Sequence, residues 1–471
     1  MNAEQQKLSI KEKVGYSLGD TASNLFFLTF LIFMPKFYTD VFGLTASAVA
    51  LMFLITKIWD AVNDPIMGIL ADRTDTKMGK YRPYILWFAI PLGVAGVLTF
   101  TTPGLGENGK LIYAYITYTA VMMLYTIVNV PYSALMGVMT PNAAERTVIS
   151  SYRFVAAFVG QFVAQYAVGM LVVKFGGGDN AKGYQLTLGL LSAIAVILLF
   201  ITFATTKERV HPPKGQKSPI RQDMRDLFTN GPWLMIGIAT FFQLFFISLR
   251  SGIIPYYFDY YVNSGEVSLL GITRDWSSET LLTTYLMTGT AIMVLGAVLT
   301  KKLTRIIGKA ICYWSFLGLS AATTALYYFL DPDDLNLMFI LNFVRSFAMG
   351  PVSVLQWAMY TDCADYSEWK TGRRATALIM SASLFSLKMG LAVGSAALTW
   401  ILAIYGYEAN VEQSEESIKG IVLLMSIYPA VIALFGMIAM VLYPLNNKKM
   451  AQIETELVER RKQTEKDPAD A

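Results

Sequence analysis

Histidine and cysteine are nearly missing from this chain. One histidine, His211, and two cysteines, Cys312 and Cys363, occur in 471 residues. That shortage excludes imidazole relays, histidine-based catalysis and Cys/His zinc sites, and two isolated cysteines make no disulfide framework. Charge is scarce as well. Asp, Glu, Lys and Arg are 15% of the residues, and the hydrophobic set is 54%. A soluble domain carries about 25% charge. A signal peptide is not expected, because the start "MNAEQQKLSIKEK" is polar and the first apolar run is too long for a signal core. Loops are short throughout. An enzyme would need an acid/base or metal constellation in a large loop, and a sensor would need a signalling domain; the chain has room for neither.

What the chain has is long apolar runs. About 20 mostly apolar residues cross a bilayer. Stretches 84–105, 111–140, 183–206, 281–300, 311–330 and 421–445 meet that without charge. Stretches 14–42, 45–71, 147–173, 231–262, 334–361 and 375–405 meet it with one to three ionisable groups. The expected architecture is an all-α membrane protein with twelve transmembrane helices. Of the 38 Lys and Arg, 27 fall on the side that holds both termini and five on the other. The positive-inside rule therefore places both termini in the cytoplasm.

The polar stretch 207–230 contains His211 and three prolines and divides the spans six and six. The expected division is an N-terminal bundle at 1–206, a cytoplasmic loop at 207–230, a C-terminal bundle at 231–443 and a tail at 444–471. The halves echo each other: "GILADRTDTKMGKYRP" follows span two and "GAVLTKKLTRIIGKAI" follows span eight. Two six-span repeats with such basic loops resemble the major facilitator superfamily. That likeness implies two six-helix bundles with pseudo-two-fold symmetry and a substrate held between them.

Ionisable groups inside spans cost several kcal/mol, so each is a candidate for function. In "KIWDAVNDPIMG" Asp60 and Asp64 stand four apart, on one helix face, with Asn63 beside them. Two carboxylates in low dielectric repel, and a proton or a small cation held by oxygen ligands resolves the conflict. The alternative is an ion pair with Lys57, Lys388 or Arg153. In "YTIVNVPYSAL" Tyr125, Thr126 and Asn129 are neighbours on span four, and Pro131 weakens the backbone there. In "GYSLGDTASN" Asp20 and Asn24 form a polar stripe with Tyr16. Arg153 offers paired donors for a substrate clamp, and Lys388 lies too deep in its span to reach water easily. Arg250 is expected to pair with Asp259 or to brace the halves. Asp362, Asp365 and Glu368, facing Arg146, Arg373 and Arg374, are candidates for a cytoplasmic gate.

Together with "YTDVFGL", "GKYRPYIL", "DYSEWKTGRR" and "SLKMG", these residues resemble the glycoside–pentoside–hexuronide:cation symporters, the group of melibiose permease and the glucuronide transporters. The resemblance covers almost the whole chain. It implies import of a glycoside or oligosaccharide by alternating access, coupled to Na+ or H+, with no resident cofactor. Its cation site would be Asp60, Asn63, Asp64 and Thr126. Its sugar site would be Asn24, Asp60, Tyr125, Asn129, Ser133 and Arg153, with Lys388 beside the cation site; Asp20 and Lys388 complete the expected substrate set. Melibiose permease has aspartates where Asn24 and Asn129 stand and a tryptophan where Ser133 stands, so melibiose is not the expected sugar; with two negative charges fewer, the resemblance turns toward anionic glycosides such as uronides, with neutral xylosides and glucosides also open. The resemblance also implies a monomer in a bacterial inner membrane, a small-molecule sugar and the bilayer as partners, and no nucleic acid. The competing expectations are an uncoupled sugar facilitator and a lysolipid or amphiphile transporter of the same fold.

Overall fold

The structure is a computed structural model that describes residues 8–140, 143–209, 227–269, 271–371 and 376–466. Helix covers each of the twelve apolar stretches. In chain order they are α1 (Ile10–Ile32), α2 (Ala46–Arg73), α3 (Arg82–Thr99), α4 (Glu107–Met139), α5 (Ala143–Tyr166) and α6 (Asn180–Thr205). The second six are α7 (Gly231–Tyr260), α8 (Ser278–Ile307), α9 (Lys309–Ala325), α10 (Leu335–Thr371), α11 (Thr376–Ile404) and α12 (Glu415–Met425, resumed at Ile427–Val441). A further helix, α13 (Asn447–Lys466), forms the tail. Among the described residues nine helices are long and apolar enough to cross a membrane, or ten with the bent first span included.

Stretch 14–42 is not one straight rod. α1 stops at Phe33, and the chain continues through Met34–Lys36 into a π-helical turn, Phe37–Val41, bent by 56° from α1. Such π turns often serve functional sites, and this one presents Thr39 and Asp40. A hairpin that the apolar pattern does not announce links α7 to α8: β1 (Gly265–Leu269) pairs antiparallel with β2 (Ile272–Trp276), Leu269 opposite Ile272.

Contacts divide the chain into two compact units. The first holds 1–215, 251–290 and 395–421, and the second 216–250, 291–394 and 422–471. The boundary cuts α7, α8, α11 and α12, so these units differ from the chain-order division at 206 and 231. In the first unit α1 packs on α5 and α6, α3 on α4 and α6, and α2 on α4. In the second, α9 packs on α10 and α12, and α10 on α13. Met450, Ile453 and Leu457 bury the apolar stripe of α13, at the spacing an amphipathic helix requires.

The loop between α2 and α3 shows what the "GKYRP" motif does locally. Glu208 accepts the backbone N–H groups of Lys80, Tyr81 and Arg82 at 2.8, 2.8 and 3.0 Å. A carboxylate there satisfies the orphan donors at the start of α3 and complements its dipole. Gly79 has φ +108°, and a Cβ on it would come within 2.5 Å of the Glu208 carboxylate. Gly79→Ala is therefore expected to cost about 1–3 kcal/mol, visible as an earlier thermal transition. An unchanged melting curve would refute this role for Gly79.

Candidate functional site

Three positions on α4, each three residues from the next, organise the polar interior of the first unit. The first is Thr126, which is 1% exposed. Its hydroxyl lies 2.7 Å from Asp60 Oδ1 and 3.2 Å from Asp64 Oδ1. The i,i+4 spacing on α2 thus aims both carboxylates at one oxygen. A hydroxyl has one proton and donates fully to one acceptor at a time. Two carboxylates around it form an acceptor-rich pocket suited to a proton or a small cation. Asn63, also buried, lies on the same stretch of α2, and its Nδ2 has no hydrogen-bond partner among the described residues. An amide has acceptor and donor ends to offer.

Lys57, one turn before Asp60, donates to Ser395 Oγ at 2.6 Å and lies 5.7 Å from the centroid of the Phe53 ring. Lys388 is half-buried on α11 in the second unit.

The second position on α4 is Asn129, whose Oδ1 accepts from Ser23 Oγ at 3.0 Å. The third is Tyr132, whose hydroxyl approaches Asp20 Oδ2 at 2.6 Å and the carbonyl of Tyr16 at 2.8 Å. Asp20 also receives both arms of Arg153, Nε to Oδ2 at 2.7 Å and Nη2 to Oδ1 at 2.9 Å. The rings of Tyr16 and Tyr132 stack at 4.7 Å, with the guanidinium 5.5 and 5.3 Å from their centroids. Tyr132 packs against Gly19, where an added Cβ would come within 2.3 Å of the ring. The fork of Arg153, read from the sequence as a substrate clamp, is here closed on Asp20.

Beside the pair, Asn24 donates to the carbonyl of Asp20 at 2.8 Å and accepts from Gln161 at 3.3 Å. Tyr125 is half-buried on α4, and Ser133 is exposed on the same helix. Tyr16 and Asn24 could be read from the α1 stripe, whereas Ser23, Tyr132 and Gln161 were missed. The available signal for Tyr132 was its spacing of three from Asn129, continuing the series begun by Thr126.

A second polar cluster gathers around the π turn after α1 in the first unit. Asp40, on the π turn, receives Tyr407 at Oδ1 (2.6 Å) and Tyr260 at Oδ2 (2.8 Å), and its carbonyl receives Asn410 Nδ2 at 2.5 Å. Thr39 meets Tyr256 at 2.9 Å. Burial, with Asp40 next to it, pushes the Tyr407 phenol far up, so it stays a donor at any physiological pH. Lys36 forms an ion pair with Asp259. This corrects the expected Arg250–Asp259 pairing: Arg250 is instead fully buried over the Tyr327 ring at 4.6 Å, with Met425 Sδ at 2.6 Å. Tyr256 is fully buried in this cluster.

Of the six residues expected at the cytoplasmic gate, Asp362 pairs with Lys309 at 2.8 Å, a lysine outside that set. Asp365 and Glu368 lie on α10. Arg373, Arg374 and the side chain of Arg146 are outside the described residues.

The chain matches the family model described as MFS/sugar transport protein over residues 15–447. It is 37% identical to the Inner membrane symporter YicJ of Escherichia coli, over 97% of this chain and 96% of that one. It is 34% identical to the Isoprimeverose transporter of Lactiplantibacillus pentosus, over 87% of this chain and 83% of that one. Among solved structures, a bacterial homolog of the human lysosomal transporter Spinster superposes with a TM-score of 0.64 at 15% identity, over 92% of this chain and 95% of that one. The nucleoside transporter NupG superposes with a TM-score of 0.57 at 13% identity, over 94% and 100%. An all-α chain of apolar spans, with these polar groups inside them and a family match over nearly its whole length, belongs to the MFS/sugar transport proteins of the major facilitator superfamily, and within them to the glycoside–pentoside–hexuronide:cation symporters: it is a sugar symporter and not an enzyme.

Proposed function

We propose that the protein imports a neutral glycoside with one monovalent cation, Na+ or H+, across a bacterial inner membrane, with both termini in the cytoplasm and as a monomer. The cation is assigned to Asp60, Asn63, Asp64 and Thr126. The sugar is assigned to Asp20, Asn24, Tyr125, Asn129, Ser133 and Arg153, with Lys388 contributing from the C-terminal bundle. The observation that carries this reading is the Thr126 hydroxyl between two carboxylates. The Asp20–Arg153 charges cancel, and the polar groups around them are amides and hydroxyls. That balance favours an uncharged sugar over a uronide.

Coupling follows from the α4 strip. A cation drawn to the α2 carboxylates acts on Thr126, and the same helix carries Asn129 and Tyr132 at the sugar groups. Each ligand then favours the state the other prefers, which is all that coupling requires. Alternating access opens the two sides in turn, and the Asp40 cluster is assigned as the latch of the outer side. The six cytoplasmic gate residues remain the proposed latch of the inner side.

Uptake into proteoliposomes separates the couplings. Radiolabelled isoprimeverose, named for a relative, and a panel of xylosides, glucosides and glucuronides are offered with a Na+ gradient at fixed pH, or with a pH gradient without Na+. Uphill uptake under one gradient identifies the ion. Simple equilibration under both gradients would sink the symport reading in favour of a facilitator. The outer latch has its own test. Tyr407→Phe removes a hydrogen bond to a carboxylate, worth about 1.5–3 kcal/mol, so labelling of Ser133→Cys by an impermeant maleimide from outside should rise roughly ten- to a hundredfold. An unchanged rate would remove Tyr407 from the latch.

A further inference from the structure

The second unit has a cavity of about 300 Å³ where α8 ends, α9 begins and the tail helix α13 starts. Its lining includes Lys301, Arg305, Lys309, Asp362, Asn446 and Asn447. Lys309 Nζ meets both oxygens of Asp362 at 2.8 Å, so that lysine is neutralised. Lys301 and Arg305 are not. They stand four apart, on one face of α8, and among the described residues neither side chain has a hydrogen-bond or ion-pair partner. The cavity wall therefore carries two uncompensated positive charges.

The backbone adds to this sign. α9 and α13 both begin at the cavity, and their first N–H groups are met by side-chain carbonyls. Lys309 N donates to Asn447 Oδ1 at 3.4 Å, and Lys449 N to Asn446 Oδ1 at 2.9 Å. The positive end of a helix dipole favours an anion. Two of them beside a lysine and an arginine make a basin of one sign. The guanidinium fork matches phosphate oxygens in pairs, and the lysine adds a point charge.

We propose that this cavity binds a phosphate-bearing anion, with Arg305 and Lys301 as its ligands and the Lys309–Asp362 pair as its wall. The occupant would join α13 to the α8–α9 turn. That gives a role to the basic loop "KKLTRIIGK" and to the tail, neither of which sugar symport uses. The phosphate has two possible sources, a soluble phosphoryl compound or the headgroup of an anionic phospholipid, which basic pockets beside membrane helices can hold.

Full-length protein in phosphatidylcholine nanodiscs is titrated with inorganic phosphate at constant ionic strength, against chloride, and melting is followed by tryptophan fluorescence. A parallel set of nanodiscs contains phosphatidylglycerol and no phosphate, with lipid retention read by native mass spectrometry. A saturable rise in melting temperature with phosphate identifies the soluble source. A rise with phosphatidylglycerol, and its retention, identifies the lipid. In either case Lys301→Gln with Arg305→Gln should weaken the response at least about tenfold, while Arg305→Lys, which keeps the charge and loses the fork, should fall between that variant and the wild type. Should the double variant not fold, Lys301→Gln alone must still weaken the response severalfold. No response to either probe, or the same response in the variants as in the wild type, overturns the proposal.

Discussion

Asp64→Cys is expected to abolish uphill transport while leaving the protein folded. One positive charge carried inward across 100 mV is worth about 2.3 kcal/mol, which supports roughly fifty-fold accumulation of an uncharged sugar. Without the second carboxylate the Thr126 hydroxyl faces Asp60 alone, and the site loses half the charge that would hold a cation. Accumulation should fall from about fifty-fold to about one. Counterflow of sugar with no gradient separates lost coupling from lost protein, because it needs only the sugar groups on α1, α4, α5 and α11. Cation-dependent uphill uptake that survives in Asp64→Cys would remove the α2 pair from the ion site and break the strip mechanism with it.

Asp20→Asn and Arg153→Gln, made singly, should each reduce uptake to background and lower stability. Removing one partner of a buried ion pair costs about 3–5 kcal/mol because the other charge is left unpaired. Here the side chains keep 15% and 24% exposure, so the lower end of that range applies. In Asp20→Asn the guanidinium keeps its place over the Tyr16 and Tyr132 rings without a counter-charge. In Arg153→Gln the carboxylate keeps only the hydroxyl of Tyr132. The double variant removes both charges, and its thermal stability should recover most of the loss. Its transport should not recover, because the proposed sugar contacts are gone. If the double variant transports as well as the wild type, the pair is scaffolding and the sugar binds elsewhere.

These two expectations draw on different kinds of information. The α2 pair could be read directly, because i,i+4 spacing is local and two acids in an apolar run demand compensation. Thr126 and Asn129 were legible as polar positions on an apolar helix. The partner of Asp20 was not, since Arg153 lies 133 residues away and several other intramembrane cations competed for the part. The same limit produced the wrong partner for Asp259, which belongs to Lys36, and left Lys309 out of the set around Asp362. Charge is readable from a sequence, whereas which opposite charge lies within 3 Å is a property of helix packing. The hairpin 265–276 escaped for another reason. Its strands are only five residues long, and the polar–apolar alternation of 266–269 is too brief to stand out in a connection between spans of about 20 apolar residues.

The sequence by itself determined twelve helices, the likeness to the sugar symporters and the acids of α2. Each depends on hydropathy or spacing within about 20 neighbouring residues, and the bilayer's demand for satisfied backbone groups leaves helix as the solution. Only the tertiary structure decided that Thr126 lies between two carboxylates, that Arg153 is closed on Asp20 beside two stacked tyrosines, and that the π turn after α1 brings Asp40 to Tyr260 and Tyr407. Those contacts join segments separated by 62 to 367 residues. Their distances are set by how helices pack and bend, which no local pattern in the chain encodes.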